Sequence, residues 1–315
     1  MVKTVKKAAK QAAPAAVRGP RLRKLTRRQA KTSVQQKAAA RPLIGSFQLV
    51  RQTAAFLYRH WRLLGGLVLV YLILNIVFAS GLSNLSSSIS SIKDNLSTGQ
   101  HKFATALGGF SGLLGTAGAS GSATGSTLQT FLIILESLVI IWALRQLFAD
   151  KTFAVKNAYY QSTGQLVPFL LVLGVLFIQF LPVTLGATAL SFILSNTVNT
   201  GALTVIFGLI YAGLVAWSVY MISASVFALY IVTLPEMTPL AALRSAKNLV
   251  KFRRLKIIRR IIFLPIFIFL AAGVIIVPLI LWANFLVLPV FYALSMVGIL
   301  FVHSYLYGLY RELLQ

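Results

Sequence analysis

Five carboxylates, three histidines and no cysteine make up the whole stock of acid, base and thiol side chains in this 315-residue chain. The carboxylates are Asp94, Glu136, Asp150, Glu236 and Glu312, and the histidines are His60, His101 and His303. A hydrolase needs converging acids, or a nucleophile beside its base. A metal site needs several ligands at short, regular spacing. These residues offer neither arrangement, and there is no Walker loop, G-x-G-x-x-G, H-E-x-x-H or G-x-S-x-G. The expectation is a protein that is not an enzyme and uses no metal or cofactor.

One acid stands apart. Glu136 lies in TFLIILESLVIIWALRQLF, deep inside an apolar run. An ionisable residue there is by default a functional hypothesis, as a proton relay or a cation site. The plainer alternative is a protonated or hydrogen-bonded glutamate facing its neighbours, and with no second acid it carries more weight. His303, in FVHSYLYGLY, is the candidate partner of Glu136, although a lone histidine more often serves as a structural donor.

The elements that must position these residues follow from composition. The chain is 57% hydrophobic and 11% charged, with a mean hydropathy of +0.81. Soluble domains are roughly 45–50% apolar and about 25% charged. The apolar excess falls in long segments, so the expected class is an all-α polytopic membrane protein with about six transmembrane helices. The expected spans are 63–80, 127–148, 165–186, 201–234, 257–282 and 284–309. The fourth is too long to stand upright, and should tilt or project. The last two separate at Trp282-Ala283-Asn284. Pro182, Pro265, Pro278 and Pro289 are expected to kink spans. Asn75, Gln179 and Asn284 read as interhelical hydrogen bonders, and Gly208, Ala212 and Ala216 as a close-packing face.

Charge orients the spans. The chain carries 30 Lys/Arg and 5 Asp/Glu, a net charge of +25. With six spans, 1–62, 149–164, 235–256 and 310–315 fall on one side and hold 25 of the basic residues, whereas the other side has only Lys93 and Lys102. The positive-inside rule then places both termini in the cytoplasm, in a cytoplasmic (inner) membrane. Residues 1–41 hold 13 Lys/Arg and no acid, and read as a disordered basic tail ahead of a membrane domain over 42–315. The start does not resemble a secretory signal; a mitochondrial presequence is a minor alternative. Between the first two spans, 81–126 is an outer Ser/Gly-rich loop. It has one apolar helical stripe (Leu82, Leu85, Ile89, Ile92, Leu96) and a flexible low-complexity stretch over 108–126.

Basic helices abut the spans. Leu43, Phe47, Val50, Ala54, Leu57, Tyr58 and Trp61 fall on one arc, with Arg51, Arg59 and Arg62 to its side. In PLAALRSAKNLVKFRRLKIIRR (239–260), Arg244, Lys247, Lys251 and Arg254 oppose Ala242, Leu243, Ala246, Leu249 and Val250. Thr238 and Pro239 supply an N-cap and N1, and a turn is expected near Phe252-Arg253-Arg254. Such helices suit a lipid surface, apolar face in the acyl boundary and cations on anionic headgroups. FAVKNAYYQSTGQLVPF (153–169) is a weaker third example, so the spans read as three hairpins, each with its own amphipathic helix.

SFQLVRQTAAFLYRHWRLLGGLVLVYLILNIVF (46–78) and PEMTPLAALRSAKNLVKFRRLKIIRRIIFL (235–264) resemble the six-span membrane domain found ahead of the catalytic barrel in some bacterial glycerophosphoryl diester phosphodiesterases. The domain also occurs alone in many membrane proteins. The resemblance covers about 42–315 and carries no catalytic residue. Three functions are expected from different classes. The first is a non-enzymatic scaffold for lipid or protein partners, including a second copy of the chain. The second is a transporter or channel using Glu136. The third is a membrane-insertion or ribosome-tethering factor whose basic tail contacts RNA.

Overall fold

The computed structural model describes residues 44–79, 105–106, 108–110, 113, 123–196 and 201–315. The expected basic tail and the stripe over 82–96 lie outside the described residues. The helices are α1 (Ser46–Arg59), α2 (Trp61–Ala79), α3 (Ala123–Leu147), α4 (Val155–Thr163), α5 (Leu166–Asn196), α6 (Gly201–Val232), α7 (Pro239–Val250), α8 (Arg254–Trp282) and α9 (Asn284–Leu314). Six of them (α2, α3, α5, α6, α8 and α9) are long and apolar enough to cross a membrane. The chain is an all-α, multi-pass membrane protein.

α5 runs ten residues beyond the expected 186, and along it Thr184, Thr188 and Ser191 satisfy their hydroxyls on carbonyls three residues back, at 2.9–3.0 Å. α6 has 32 residues. That is roughly 48 Å of helix at 1.5 Å per residue, against a hydrocarbon core of about 30 Å. The expected break falls at Ala283 alone (φ −139, ψ 58), whose N–H donates to Leu279 O at 2.8 Å. The four span prolines lie inside continuous helices.

The spans pack as three hairpins, α2/α3, α5/α6 and α8/α9. Each outgoing span is preceded by a short helix that packs on a return span: α4 on α3, α7 on α6, and α1 on α9. The last contact closes the ring. The turns leading from α3 to α4 and from α6 to α7 each contain an acid with left-handed backbone, Asp150 (φ 53) and Glu236 (φ 61). α3 is the centre, with Leu138 to Leu144 all buried. α9 touches α1, α2, α3, α6 and α8.

Four expectations change. On α1 the buried face is Leu49, Val50 and Thr53, with Phe56 and Leu57 partly buried, while Phe47, Tyr58 and Trp61 stand exposed. The expected apolar arc is therefore split between a protein-facing half and an outward aromatic half, because α1 rolls to pack on α9. On α7, Ala242, Ala246 and Val250 are fully buried, so the face expected in the acyl boundary packs on α6 instead. Small side chains at i, i+4 and i+8 permit that approach. The Gly208, Ala212, Ala216 face packs on nothing among the described residues: a Cβ at Gly208 would meet no described atom, and both alanines are exposed. The close approach lies instead at Gly186, against Tyr211 and Leu214. Finally, the described residues of 108–126 are helical rather than low-complexity coil. Phe110 and Leu113 are fully buried with Ile276, Val287 and Phe291, and Phe110 sits over Gly273.

Candidate functional site

Glu136 sits on the central helix and is 1% exposed. Its Oε2 accepts a 2.7 Å hydrogen bond from the Tyr159 hydroxyl on α4, and its Oε1 has no partner. α4 comes this close because Gly66 of α2 leaves room for Val155, 3.2 Å from where a Cβ would stand. Burial, reinforced by the Glu136 charge, pushes the Tyr159 hydroxyl up from its ordinary value. Tyr159 therefore stays protonated and can only donate to the carboxylate.

A second polar group adjoins the first. Asn75 on α2 is fully buried and donates to the Tyr71 hydroxyl at 3.5 Å, while its Oδ1 accepts from the Tyr292 hydroxyl on α9. Tyr71 lies within electrostatic reach of both Glu136 and Tyr159. Gln129 lies seven residues before Glu136 on the same face of α3, 8% exposed, with its Oε1 unpartnered. One hydrogen bond thus joins α4 to Glu136, and two more join Tyr71 and Asn75 to Tyr292, so the two groups draw on four helices. Asn75 makes the interhelical bond expected of it, as does Gln179, whose Nε2 donates to Ser225 Oγ at 2.8 Å.

Glu136 and His303 do not share a hydrogen bond. Glu136 is held by Tyr159, and His303 Nδ1 lies 3.2 Å from the Tyr230 hydroxyl. His303 instead borders an apolar cleft of about 360 Å³ between α3, α8 and α9, lined by Ile133, Ile268, Phe291 and Ile299.

Both described chain ends meet at the basic end of the bundle. Arg260 of α8, 5% exposed, donates to Glu312 of α9 at 2.7 Å. Its other amino group donates to Ile44 O, and Ile44 N donates back to Glu312. Tyr305 adds a bond to Arg260 O at 3.4 Å. Nearby, Phe148 stacks on Phe56 (4.2 Å) and Tyr307 (5.3 Å), with the Arg311 guanidinium 4.5 Å from its ring centre. Arg145 donates to Thr233 O, tying α3 to the end of α6. Between α1 and α9 opens a cleft of about 290 Å³ lined by Leu49, Gln52, Phe56, Ser304, Arg311 and Glu312.

Of the seven cations expected at the lipid surface, Arg51, Arg59, Arg62, Arg244, Lys247 and Lys251 are exposed. Arg254 is engaged internally, stacked 3.9 Å above the Tyr220 ring. Among the described residues no three His, Cys, Asp or Glu side chains gather as a metal site.

Sequence reasoning missed Tyr159, Tyr71, Tyr292, Gln129 and the Arg260–Glu312 pair. Two signals were present: Gln129 and Glu136 are seven apart, and Tyr71 and Asn75 four apart, so each pair shares a helix face. Neither a family model, nor a curated protein, nor a solved structure matches the chain.

Proposed function

We propose that the chain is a non-enzymatic organiser of anionic lipid in the cytoplasmic membrane, with both termini cytoplasmic. The observation that carries this is the pairing, on α1 with the first residues of α2 and on α7, of exposed cations with a buried protein-facing side. Arg51, Arg59 and Arg62 flank the outward aromatics Phe47, Tyr58 and Trp61, while Arg244, Lys247 and Lys251 line α7. Because Leu49, Val50, Ala242, Ala246 and Val250 fix the two helices to the bundle, the cations are held in a set array. Aromatic side chains at that level anchor in the headgroup layer. Each cation near an anionic leaflet contributes about 1 kcal/mol, so the six together contribute about 6 kcal/mol at most, less as salt rises. The phosphodiesterase-like membrane domain that segments 46–78 and 235–264 resemble belongs to this reading, as a membrane platform without the catalytic barrel. The RNA or ribosome alternative concerns residues 1–41, outside the described residues.

The test is lipid analysis of the full chain extracted from native membranes in polymer nanodiscs. Wild type is expected to carry more anionic lipid than the bulk membrane. Replacing the six cations by Gln should abolish that enrichment with α-helical content unchanged. Equal lipid composition around wild type and variant would refute the proposal.

A further inference from the structure

From the polar side chains around Glu136 we infer a proton-binding site in the membrane interior, entered from the basic end past Tyr159, with α4 as its gate. This goes beyond the lipid reading and does not depend on it.

Three observations carry the inference. First, Glu136 is 1% exposed, yet only one of its two oxygens has a partner. An unsatisfied buried acceptor in the membrane interior is costly. A proton on Oε1, bridged by one water, satisfies it. Second, the Tyr71 oxygen accepts from Asn75, which leaves the Tyr71 O–H able to donate to a water that also accepts from the protonated Oε1. Third, the bond closing Glu136 on the other side comes from α4, a nine-residue helix outside the spans whose fully buried residues are only Ala158 and Ser162.

The charged surroundings suit a proton better than a divalent metal cation. Among the elements packed on α3, Tyr159 of α4 and Tyr71 of α2 are the titratable groups in electrostatic reach of Glu136. α5 carries no titratable side chain. α9 commits Tyr292 to Asn75 and His303 to Tyr230. One carboxylate and phenols that keep their protons provide a single negative charge, enough for one proton but short of what a divalent ion needs. The step is simple: hydronium at the basic end gives its proton to the Glu136 carboxylate, leaving water and a neutral carboxylic acid, and the reverse returns it.

The test uses the full chain in native vesicles and a hydrophobic carbodiimide, which modifies protonated carboxyls in apolar surroundings. Mass spectrometry reads the adduct at Glu136. Labelling is expected to fall at least ten-fold from acid to alkaline pH. In vesicles of defined orientation it should follow the pH on the basic-end side. Tyr159→Phe should raise labelling several-fold at a fixed neutral pH, since the bond favouring the carboxylate and blocking entry is gone; Tyr211→Phe, on α6 beside Gly186, should leave it unchanged. An unlabelled Glu136, labelling indifferent to pH, or labelling that follows the opposite side overturns the proposal on wild-type protein alone. Equal labelling in Tyr159→Phe overturns the gate.

Discussion

Removing the Glu312 carboxylate should loosen the basic end of the bundle more than any surface charge change could. Arg260 and Glu312 have side chains 6% and 11% exposed and meet at 2.7 Å. The same two groups hold both backbone polar atoms of Ile44. Glu312→Ala strands a guanidinium and leaves the Ile44 N–H without its acceptor. Breaking a buried pair from one side costs about 3–5 kcal/mol. The adjoining cleft admits water to this end, which favours the lower figure, about 3 kcal/mol. At about 2.1 cal/mol/K of unfolding entropy per residue, a chain of 315 residues should then lose roughly 5 °C in Tm. Replacing both residues by Met removes the stranded charge, and stability should return to within about 1 kcal/mol of wild type or exceed it. The assay is reversible unfolding in mixed micelles, run as a double-mutant cycle of Arg260→Ala and Glu312→Ala. If each single change costs under about 1 kcal/mol and the two add, the pair behaves as an exposed one. The idea that it clamps α8, α9 and the chain entering α1 would then be wrong.

Two further outcomes follow from particular contacts. A Cβ at Gly186 would lie 2.9 Å from Leu214 Cδ1 and 3.0 Å from Tyr211 Cδ2. Leu214 Cδ1 is the end of a flexible side chain, and Tyr211 Cδ2, a ring carbon, need give only a few tenths of an ångström, so Gly186→Ala should cost about 1 kcal/mol. Gly186→Leu should cost about 1–3 kcal/mol and be partly rescued by Tyr211→Ala in the same unfolding assay. The chain has no cysteine, so single-cysteine variants report sidedness directly: Lys247→Cys should react with an impermeant maleimide only from the cytoplasm, and Phe285→Cys only from outside. The reverse pattern would invert the proposed orientation.

The spans were legible because long apolar runs and basic asymmetry are one-dimensional signals. The break at Ala283 and the cap at Thr238, whose Oγ1 accepts from Ala241 N at 3.4 Å, were legible for the same reason: each is local. What failed was any statement about which face meets which. A helical wheel cannot say whether Ala242, Ala246 and Val250 face lipid or another helix, since both are apolar. In the structure they meet α6. Nor could a wheel pair Glu136 with Tyr159, because 23 residues and a turn with left-handed Asp150 separate them. The His303 pairing was the reasonable choice from residue types alone, and it gave way because Tyr230 stands nearer.

The three hairpin units share a plan, so their differences carry information. α1 is fixed by Leu49 and Val50 and by the clamp just before it. α7 is fixed by three fully buried side chains and a capped start. α4 has nine residues, a cap without a side-chain bond, and one alanine and one serine fully buried. Its attachment depends on Tyr159 reaching Glu136 and on Val155 fitting against Gly66. An interhelical hydrogen bond of this kind contributes about 0.6 kcal/mol on average, and at most a couple. Low-stability segments are the ones that open locally. Of the three short helices, α4 is the one whose hold on the bundle is small enough to release and whose release uncovers a buried carboxylate. The weakest link in the ring therefore coincides with the proposed proton site at Glu136, as a gate requires and a purely structural bundle does not.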